Sequence, residues 1–405
     1  MTMRAYQYRF YPTAAQRLLL DRYFGTARWA WNHALERRSK AYRRRKESIT
    51  GIDVSRAITQ LKKTSRYAWI KLTPATVVVQ RLRDQDTAFR NFFAGRARYP
   101  RFKKRGSGDR IRFQLDQRQV DRMYRPGELL KLPGLGPLKL KWSRSPNGKP
   151  KMVTVRRDAA GAYFVSFACE GLIQPLPAAA GVVGVDTGIT DLIVTSDGFK
   201  SGAGRHLAAK AARLARAQRV VARRKKGSNR RRQAVARVAK LHRQVRDARA
   251  NFTHKLSTTL IRENQVICVE DLNVKGMMTN RRLARSLADA AMGELHRQLA
   301  YKAQWHSREL HVIDRWAPSS KVCSGCGHKL DALPLSVRHW VCPQCEASHD
   351  RDINAAVNIR NIGTGGSPGG AGCAGTHARG GNVSPEALLA AGRAVEARIV
   401  HPTEP

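Results

Sequence analysis

The sequence predicts an α+β multidomain chain: a small β-barrel with an inserted helical block, then an α/β domain with a cysteine-rich insertion. Three observations lead there. Short strand-like runs separated by Gly, Pro and Asn turns fill residues 111–170, the texture of a small barrel. Long helical periodicities separate those runs from an N-terminal strand. Beyond residue 180, buried apolar strands alternate with helices, and two C-x-x-C pairs precede the last helix.

Residues 3–11 alternate polar and aromatic side chains and predict a strand. Thr13 is placed to cap a helix that carries Leu18, Leu19, Leu20, Tyr23, Phe24, Ala27, Trp29, Ala30 and Trp31 toward Leu35. A second helix is expected over residues 74–93, with Val77, Val78, Leu82, Ala88, Phe89 and Phe92 on one broad apolar face. Residues 96–112 are basic, with Tyr99 and Phe102 set among Arg101, Lys103 and Lys104. Cations beside flat rings are what a nucleic-acid groove uses, although a solvated loop has the same composition. Runs at residues 129–132, 138–142, 152–155 and 163–167 read as strands that, with residues 3–11, would close the barrel around the helical insertion.

Residues 172–180, rich in Pro and Ala, read as a linker. Residues 182–198 read as strand, tight Gly turn, strand. Residues 205–250 hold 17 Lys and Arg against one acid, Asp247, and predict two long helices broken near Gly227, each offering a cationic wall. The cations Arg223, Arg224, Lys225 and Lys226 stand at that break. A buried strand over residues 266–270, a helical pattern over residues 283–299 and a short strand at Val312 and Ile313 follow. Beyond Ile362 the Gly-rich composition predicts a flexible tail.

The formal net charge is +45 over 405 residues. Such an excess of cations repels itself in a compact fold unless a polyanion offsets it, and nucleic acid is the expected polyanion. No apolar run of about 18 residues is present for a spanning helix and no secretory signal is seen, so the expectation is no membrane and a cytoplasmic, nucleoid-associated bacterial protein. No G-x-x-x-x-G-K-[ST] loop occurs, which predicts no nucleoside triphosphate partner. Of seven cysteines, Cys323, Cys326, Cys342 and Cys345 form two C-x-x-C pairs fifteen residues apart, the spacing of a four-thiolate structural zinc site. Cys169 and Cys268 lie in apolar runs and read as small buried hydrophobes. His328, His339 and His349 lie around the knuckles and read as surface or phosphate contacts, with His349 also a candidate to support the zinc ligands.

Three apolar segments each deliver a carboxylate at or near an element end: Asp186, Glu270 and Asp352. A carboxylate in a buried strand is costly unless paired or metal-bound. If the strands are neighbours, the acids converge at one sheet edge, where oxygen ligands suit Mg²⁺ or Mn²⁺ and phosphodiester hydrolysis. Each acid also admits a structural role: Asp186 in a turn with Gly188, Glu270 in a salt bridge, Asp350 or Asp352 as a helix cap.

The motifs Gly184-Val-Asp-Thr-Gly188, Val269-Glu-Asp-Leu-Asn-Val-Lys-Gly276, Pro318-Ser-Ser-Lys-Val-Cys-Ser-Gly-Cys326 and Asp350-Arg-Asp-Ile-Asn-Ala-Ala-Val-Asn-Ile359 together resemble the TnpB (OrfB-type) proteins of bacterial insertion sequences. Tyr8-Arg-Phe-Tyr-Pro-Thr13, Ala88-Phe-Arg-Asn-Phe-Phe93 and Tyr99-Pro-Arg-Phe-Lys103 are similar to that family's N-terminal part, so the resemblance covers about residues 3–362. It implies an RNA-guided, Mg-dependent DNA endonuclease, with guide RNA and double- and single-stranded DNA as partners and a short target-adjacent motif read by the protein. It implies an oligonucleotide-binding-type barrel (residues 1–12 and 110–178) with a helical recognition domain (13–109). An RNase H-like (RuvC) domain (181–318 and 347–362) with an inserted zinc ribbon (319–346) follows, then the tail (363–405). Asp186, Glu270 and Asp352 take the catalytic roles in that pattern, with Asp350 the alternative third acid; Gln80 is a candidate duplex contact. Strand transfer on transposon ends and a non-catalytic nucleic-acid-binding regulator remain the alternative functions.

Overall fold

The computed structural model describes residues 2–106, 108–171 and 174–368. The chain divides into two units: Met1–Leu172 with Arg224–Lys240, and Ile173–Arg223 with Leu241–Pro405.

In the first unit, β1 (Thr2–Phe10) leads into α1 (Ala14–Arg45), α2 (Gly51–Leu61) and α3 (Ala75–Phe93). Thr13 and Gln16 form a capping box at the start of α1, satisfying two amides that the helix leaves unpaired. The helix runs ten residues past Leu35, where the apolar stripe fades. Residues 36–45 are mostly good helix formers, and Glu36 pairs with Lys40 one turn on. The sequence reading missed α2, whose signal is a second box, Thr50 with Asp53. Ala30, Ala34, Val54, Ile58, Ile70, Val78 and Leu82 form the helical core. Phe89 and Phe92 are only half-buried, because they pack on Tyr99 with ring centroids 5.6 and 5.3 Å apart rather than on that core.

After the helices come β2 (Asp109–Gln114), α4 (Gln117–Met123), β3 (Tyr124–Arg125), β4 (Leu129–Leu132), β5 (Gly136–Pro137), β6 (Leu140–Lys141), β7 (Lys149–Arg157) and β8 (Tyr163–Gly171). Four of these strands join β1 in an antiparallel sheet of order β2-β7-β8-β1-β6, and β3, β4 and β5 form a separate small sheet. The expected barrel is corrected here. Among the described residues no ladder joins β2 to β6, so the sheet is open, and residues 129–132 pair outside it. The period-2 pattern holds: Tyr6, Tyr8 and Phe10 of β1 and Tyr163, Val165, Phe167 and Cys169 of β8 all face one core.

The second unit holds β9 (Gly181–Asp186), β10 (Val194–Thr195) and α5 (Ala211–Ala222); α6 (Asn229–Glu263), whose residues up to Lys240 belong to the first unit, follows a break at residues 223–228 with Gly227 at φ +85°. Next come β11 (Asn264–Glu270), α7 (Val274–Met277), α8 (Ala284–Ala290), α9 (Met292–His306), β12 (Glu309–Ile313), β13 (His339–Val341), β14 (Ser348–Asp350) and α10 (Arg351–Gly363). The sheet order is β10-β9-β11-β12, with β9, β11 and β12 parallel and β10 antiparallel to β9. Alternation along the strands divides its two faces. Val183, Val185, Ile267 and Val269 pack with Leu260, Leu295 and Leu299 of the long helices. Cys268 and Ile313 pack with Ile359 of α10. As expected, Cys169 and Cys268 are buried hydrophobes.

Glycine decides how closely α10 approaches. A Cβ at Gly184 would overlap the Ala356 carbonyl, and one at Gly363 would meet Cys268 Sγ at 2.5 Å. Gly184→Ala should therefore lower unfolding stability by about 1–3 kcal/mol, as overpacked cores do. Gly293→Ala, with open space on α9, should leave it unchanged or raise it. Urea denaturation of both variants checks this; equal losses at the two sites would refute the close-packing account.

Candidate active site

Asp186 ends β9 and Glu270 ends β11. The parallel register pairs Val185 with Val269, so Asp186 and Glu270, the next residue on each strand, stand side by side at the carboxyl edge. The third acid arrives on α10. Ala356 lies over Gly184, and Asp352 stands one turn earlier, in the first turn of the helix. Electrostatics carries the same geometry. Burial first, and then the charge of Asp352, push the Asp186 carboxyl up to about 6. Burial first, then the charges of Asp186 and Asp271, raise Glu270 to about 7. The structure thus brings all three sequence-predicted acids to one edge.

Asp350 sits differently. It caps α10, accepting from the Asp352 and Ile353 amides at 3.1 Å, and Lys200 Nζ lies 2.6 Å from its Oδ2. Burial alone would raise its carboxyl, but the lysine and the helix-end amides outweigh that and hold it below the usual range. Asp352 instead meets Arg338 Nη1, at 3.3 and 3.4 Å from its two oxygens. Asp271, not Glu270, takes the salt bridge the sequence allowed, with Arg315.

Sequence reasoning missed Arg338, Lys200 and His296. His296 Nε2 lies 3.4 Å from Thr187 Oγ1, beside Asp186, and burial pushes its imidazole down to about 4, so it is neutral at neutral pH. Its signal was a histidine inside an apolar helical stripe. Arg338 and Lys200 carried none, since each lies far in sequence from the acid it meets.

The four paired cysteines converge, with their sulfurs within 4.8 Å of one another. Cys323 to Cys345 is 3.7 Å and Cys326 to Cys342 is 3.6 Å. Each pair forms the same turn: the Gly327 amide donates to the Cys323 carbonyl, and the Glu346 amide to that of Cys342. The residue after each pair is left-handed, Gly327 at φ +80° and Glu346 at φ +57°. Four thiols so gathered can hold one tetrahedral metal ion. His349, whose ring packs on Trp340, points Nε2 at Cys323 Sγ from 3.0 Å. His339 Nε2 instead lies 3.9 Å from Asp350. The knuckle is pinned to α10: Asn354 Nδ2 and Asn358 Nδ2 both donate to the Val322 carbonyl, and Asn354 Oδ1 accepts the Ser324 amide.

The proposed nucleic-acid contacts fare unevenly. Arg101 and Lys104 are exposed. Lys103 is half-buried, with Nζ 5.0 Å from the Trp31 ring centroid. Their backbone is docked on α1, where Trp31 Nε1 donates to the Arg101 carbonyl and Asn32 bonds both polar groups of Lys103. Arg223, Arg224, Lys225 and Lys226 are all exposed at the α5–α6 break. Gln80 is a correction. It is 4 % exposed and donates to Gln114 Oε1 at 2.9 Å, so its amide is held inside the first unit and offers no surface to a duplex.

Residues 153–281 match a family model described as "Probable transposase", residues 293–359 one described as "Cas12f1-like, TNB domain", and residues 1–47 one described as "Helix-turn-helix domain". A Streptomyces pristinaespiralis protein named "Putative RNA-guided DNA endonuclease" is 45 % identical over 358 residues, covering 88 % of each chain. Escherichia coli (strain K12) InsQ, of the same description, is 29 % identical over 377 residues, covering 88 % of this chain and 91 % of its own. The fold is similar to that of the protein in a cryo-EM structure of a Cas12f1–sgRNA–target DNA complex, with TM-score 0.55 and 11 % identity over 89 % of this chain and 99 % of that one. On the identity and coverage shared with the Streptomyces protein, the chain belongs to the TnpB family, the OrfB-type proteins of bacterial insertion sequences.

Proposed function

We propose that the chain is an RNA-guided DNA endonuclease whose divalent-metal centre is formed by Asp186, Glu270 and Asp352. One observation carries this reading: three carboxylates from separate elements meet at the carboxyl edge of a mostly parallel sheet, and two of them are held above their ordinary pKa by burial and mutual repulsion. A fold retains such a cluster when a cation offsets it. The donors are all oxygen, which suits Mg²⁺ or Mn²⁺. Bound there, such ions supply an activated water and neutralise charge on the scissile phosphate.

The chain's own residues set up the rest. Asp350 and Lys200 fix the start of α10, so Asp352 is presented to the other two acids. Arg338 pairs with Asp352 and is read as holding that carboxylate at the edge. Neutral His296 orients Thr187 beside Asp186. The sheet with its helices is read as an RNase H-like (RuvC) domain, and the cysteine cluster as a structural zinc ribbon inserted before α10. The open sheet of the first unit is read as the wedge-type, oligonucleotide-binding domain, and α1–α3 as the recognition block. Arg101, Lys103, Lys104 and residues 223–226 are read as contacts to guide RNA and target DNA. The net charge of +45 and the descriptions of the relatives support nucleic-acid partners. Among the described residues no helix is long and apolar enough to cross a membrane.

Asp186→Asn, Glu270→Gln and Asp352→Asn should each lower DNA cleavage by about 10⁴-fold, as for members of one catalytic unit. Each variant should still copurify with the same defined RNA as the native protein, identified by sequencing. Asp350→Asn, losing mainly a cap, should cost about 0.5–2 kcal/mol of stability and leave cleavage measurable. Full cleavage by the Asp186 variant, or no defined RNA with any of them, would overturn the corresponding half of the proposal.

The raised carboxyls fix the sign of the pH dependence. In the metal-free protein the protonated forms of Asp186 and Glu270 are favoured by folding, so their contribution to stability is fully present below about pH 4. It is lost as pH rises through about 6 for Asp186 and about 7 for Glu270. Asp186→Asn should thus raise the melting temperature of chelator-treated protein at pH 8 and leave it unchanged near pH 4. Binding of Mg²⁺ should release protons below about pH 7, measurable by calorimetry in buffers of different ionisation enthalpy.

Purified protein should contain one zinc per chain by elemental analysis, and Cys342→Ser should lose it. Because Asn354 and Asn358 tie the knuckle to α10, loss of zinc should also lower cleavage, though Mg²⁺ is in excess. Unchanged cleavage by a zinc-free variant would show that the ribbon does not position Asp352.

A further inference from the structure

We propose that Trp316 is a base-stacking residue that holds an unpaired nucleotide of the DNA strand beside the acidic centre. This deepens the endonuclease reading and rests on it. Trp316 is 84 % exposed, the most exposed of the large apolar side chains among the described residues, whereas Trp31 and Trp340 are buried. Its position is what makes that exposure informative. The last residue of β12, Ile313, pairs with Glu270, and its carbonyl accepts the Asp271 amide at 3.0 Å. Residues 314–316 therefore leave the sheet at the same edge as Asp186 and Glu270.

The turn that carries the indole is held from both sides. The Trp316 amide donates to Asp314 Oδ1 at 2.7 Å, and the Ala317 amide donates to the Asp314 carbonyl at 3.1 Å. Arg315 is tied to Asp271, the neighbour of Glu270, and Ala317 packs against Cys268, Ile313 and Ile359. A fixed backbone thus presents a large ring to water, where an unconstrained indole would find apolar cover.

The electrostatics of the edge explains why an aromatic suits it. A lysine or arginine free to grip a phosphate here would also pair with the carboxylates, as Arg338 does with Asp352, and would compete with a metal ion. A neutral ring binds nucleic acid through the base and leaves the acids uncompensated. Stacking is also indifferent to base identity, which suits a strand whose sequence is read elsewhere by pairing.

The test uses the protein with its copurified RNA and single-stranded DNA matching that RNA, carrying an abasic residue at successive positions around the cut. Binding is measured in the Asp186→Asn background and single-turnover cleavage in the native one. Trp316→Ala should weaken both by about 5- to 150-fold, the range of one stacked base, and Trp316→Phe by only a few-fold. At one abasic position the native ring should lose the same factor, with no further loss in Trp316→Ala. The melting temperature of Trp316→Ala should match that of the native protein. Equal behaviour of Trp316→Ala and native protein, or losses that add at every abasic position, would overturn the stacking contact. An active nuclease with that result keeps the endonuclease reading. A protein that never cleaves but shows the abasic coupling in binding keeps the stacking contact and sinks the nuclease instead.

Discussion

The second unit depends on one close approach, that of α10 to the sheet at Gly184. The Ala356 carbonyl occupies the space a side chain would take, and Gly363 allows the same intimacy against Cys268 at the far end of the helix. Interiors packed at near-crystalline density transmit such contacts without slack. With the helix axis seated there, its first turn falls at the carboxyl edge, and Asp352 is set near Asp186, which the parallel register has already made a neighbour of Glu270. On its other side the helix carries Asn354 and Asn358, which grip the cysteine knuckle. One helix of thirteen residues thereby joins sheet, acids and cysteine ribbon.

That arrangement also separates two metal chemistries that lie close in sequence. The thiols of the ribbon are soft ligands already complete as a set of four, and they serve the fold. The carboxylates are hard ligands, half-buried and mutually repelling, and in the proposed reading would hold a hard cation for hydrolysis. The cations nearest them are few and individually placed: Lys200 on Asp350, Arg338 on Asp352, Arg315 on Asp271. In a chain of net charge +45, Asp186 and Glu270 are left with like charges as their principal partners.

Much of this was legible in the residues. Capping at Thr13, the strands ending at Asp186 and Glu270, the break near Gly227 and the cysteine spacing all express local physics: side-chain periodicity, a cap's hydrogen bond, the reach of a four-ligand metal. The failures were of another kind. Gln80 looked polar and available on a helix, but its amide is consumed by Gln114, thirty-four residues away. The barrel was inferred from strand count, and ladder order placed residues 129–132 in a different sheet. Phe89 and Phe92 were grouped with Val77, Val78 and Leu82 on one apolar face by period alone, and they pack on Tyr99 instead.

The sequence by itself determined which residue types stand at the ends of which elements, because helix periodicity, strand alternation and ligand spacing are properties of short stretches of chain. It left open whether Asp350 or Asp352 faces the other acids. Both belong to one helix start, and two residues along the chain turn a side chain to different surroundings. Only the tertiary structure decided that, by letting α10 sink onto Gly184 and binding Asp350 to Lys200 and the helix amides. The same holds for Arg338, His296 and Trp316, whose meaning comes from neighbours that chain distance conceals.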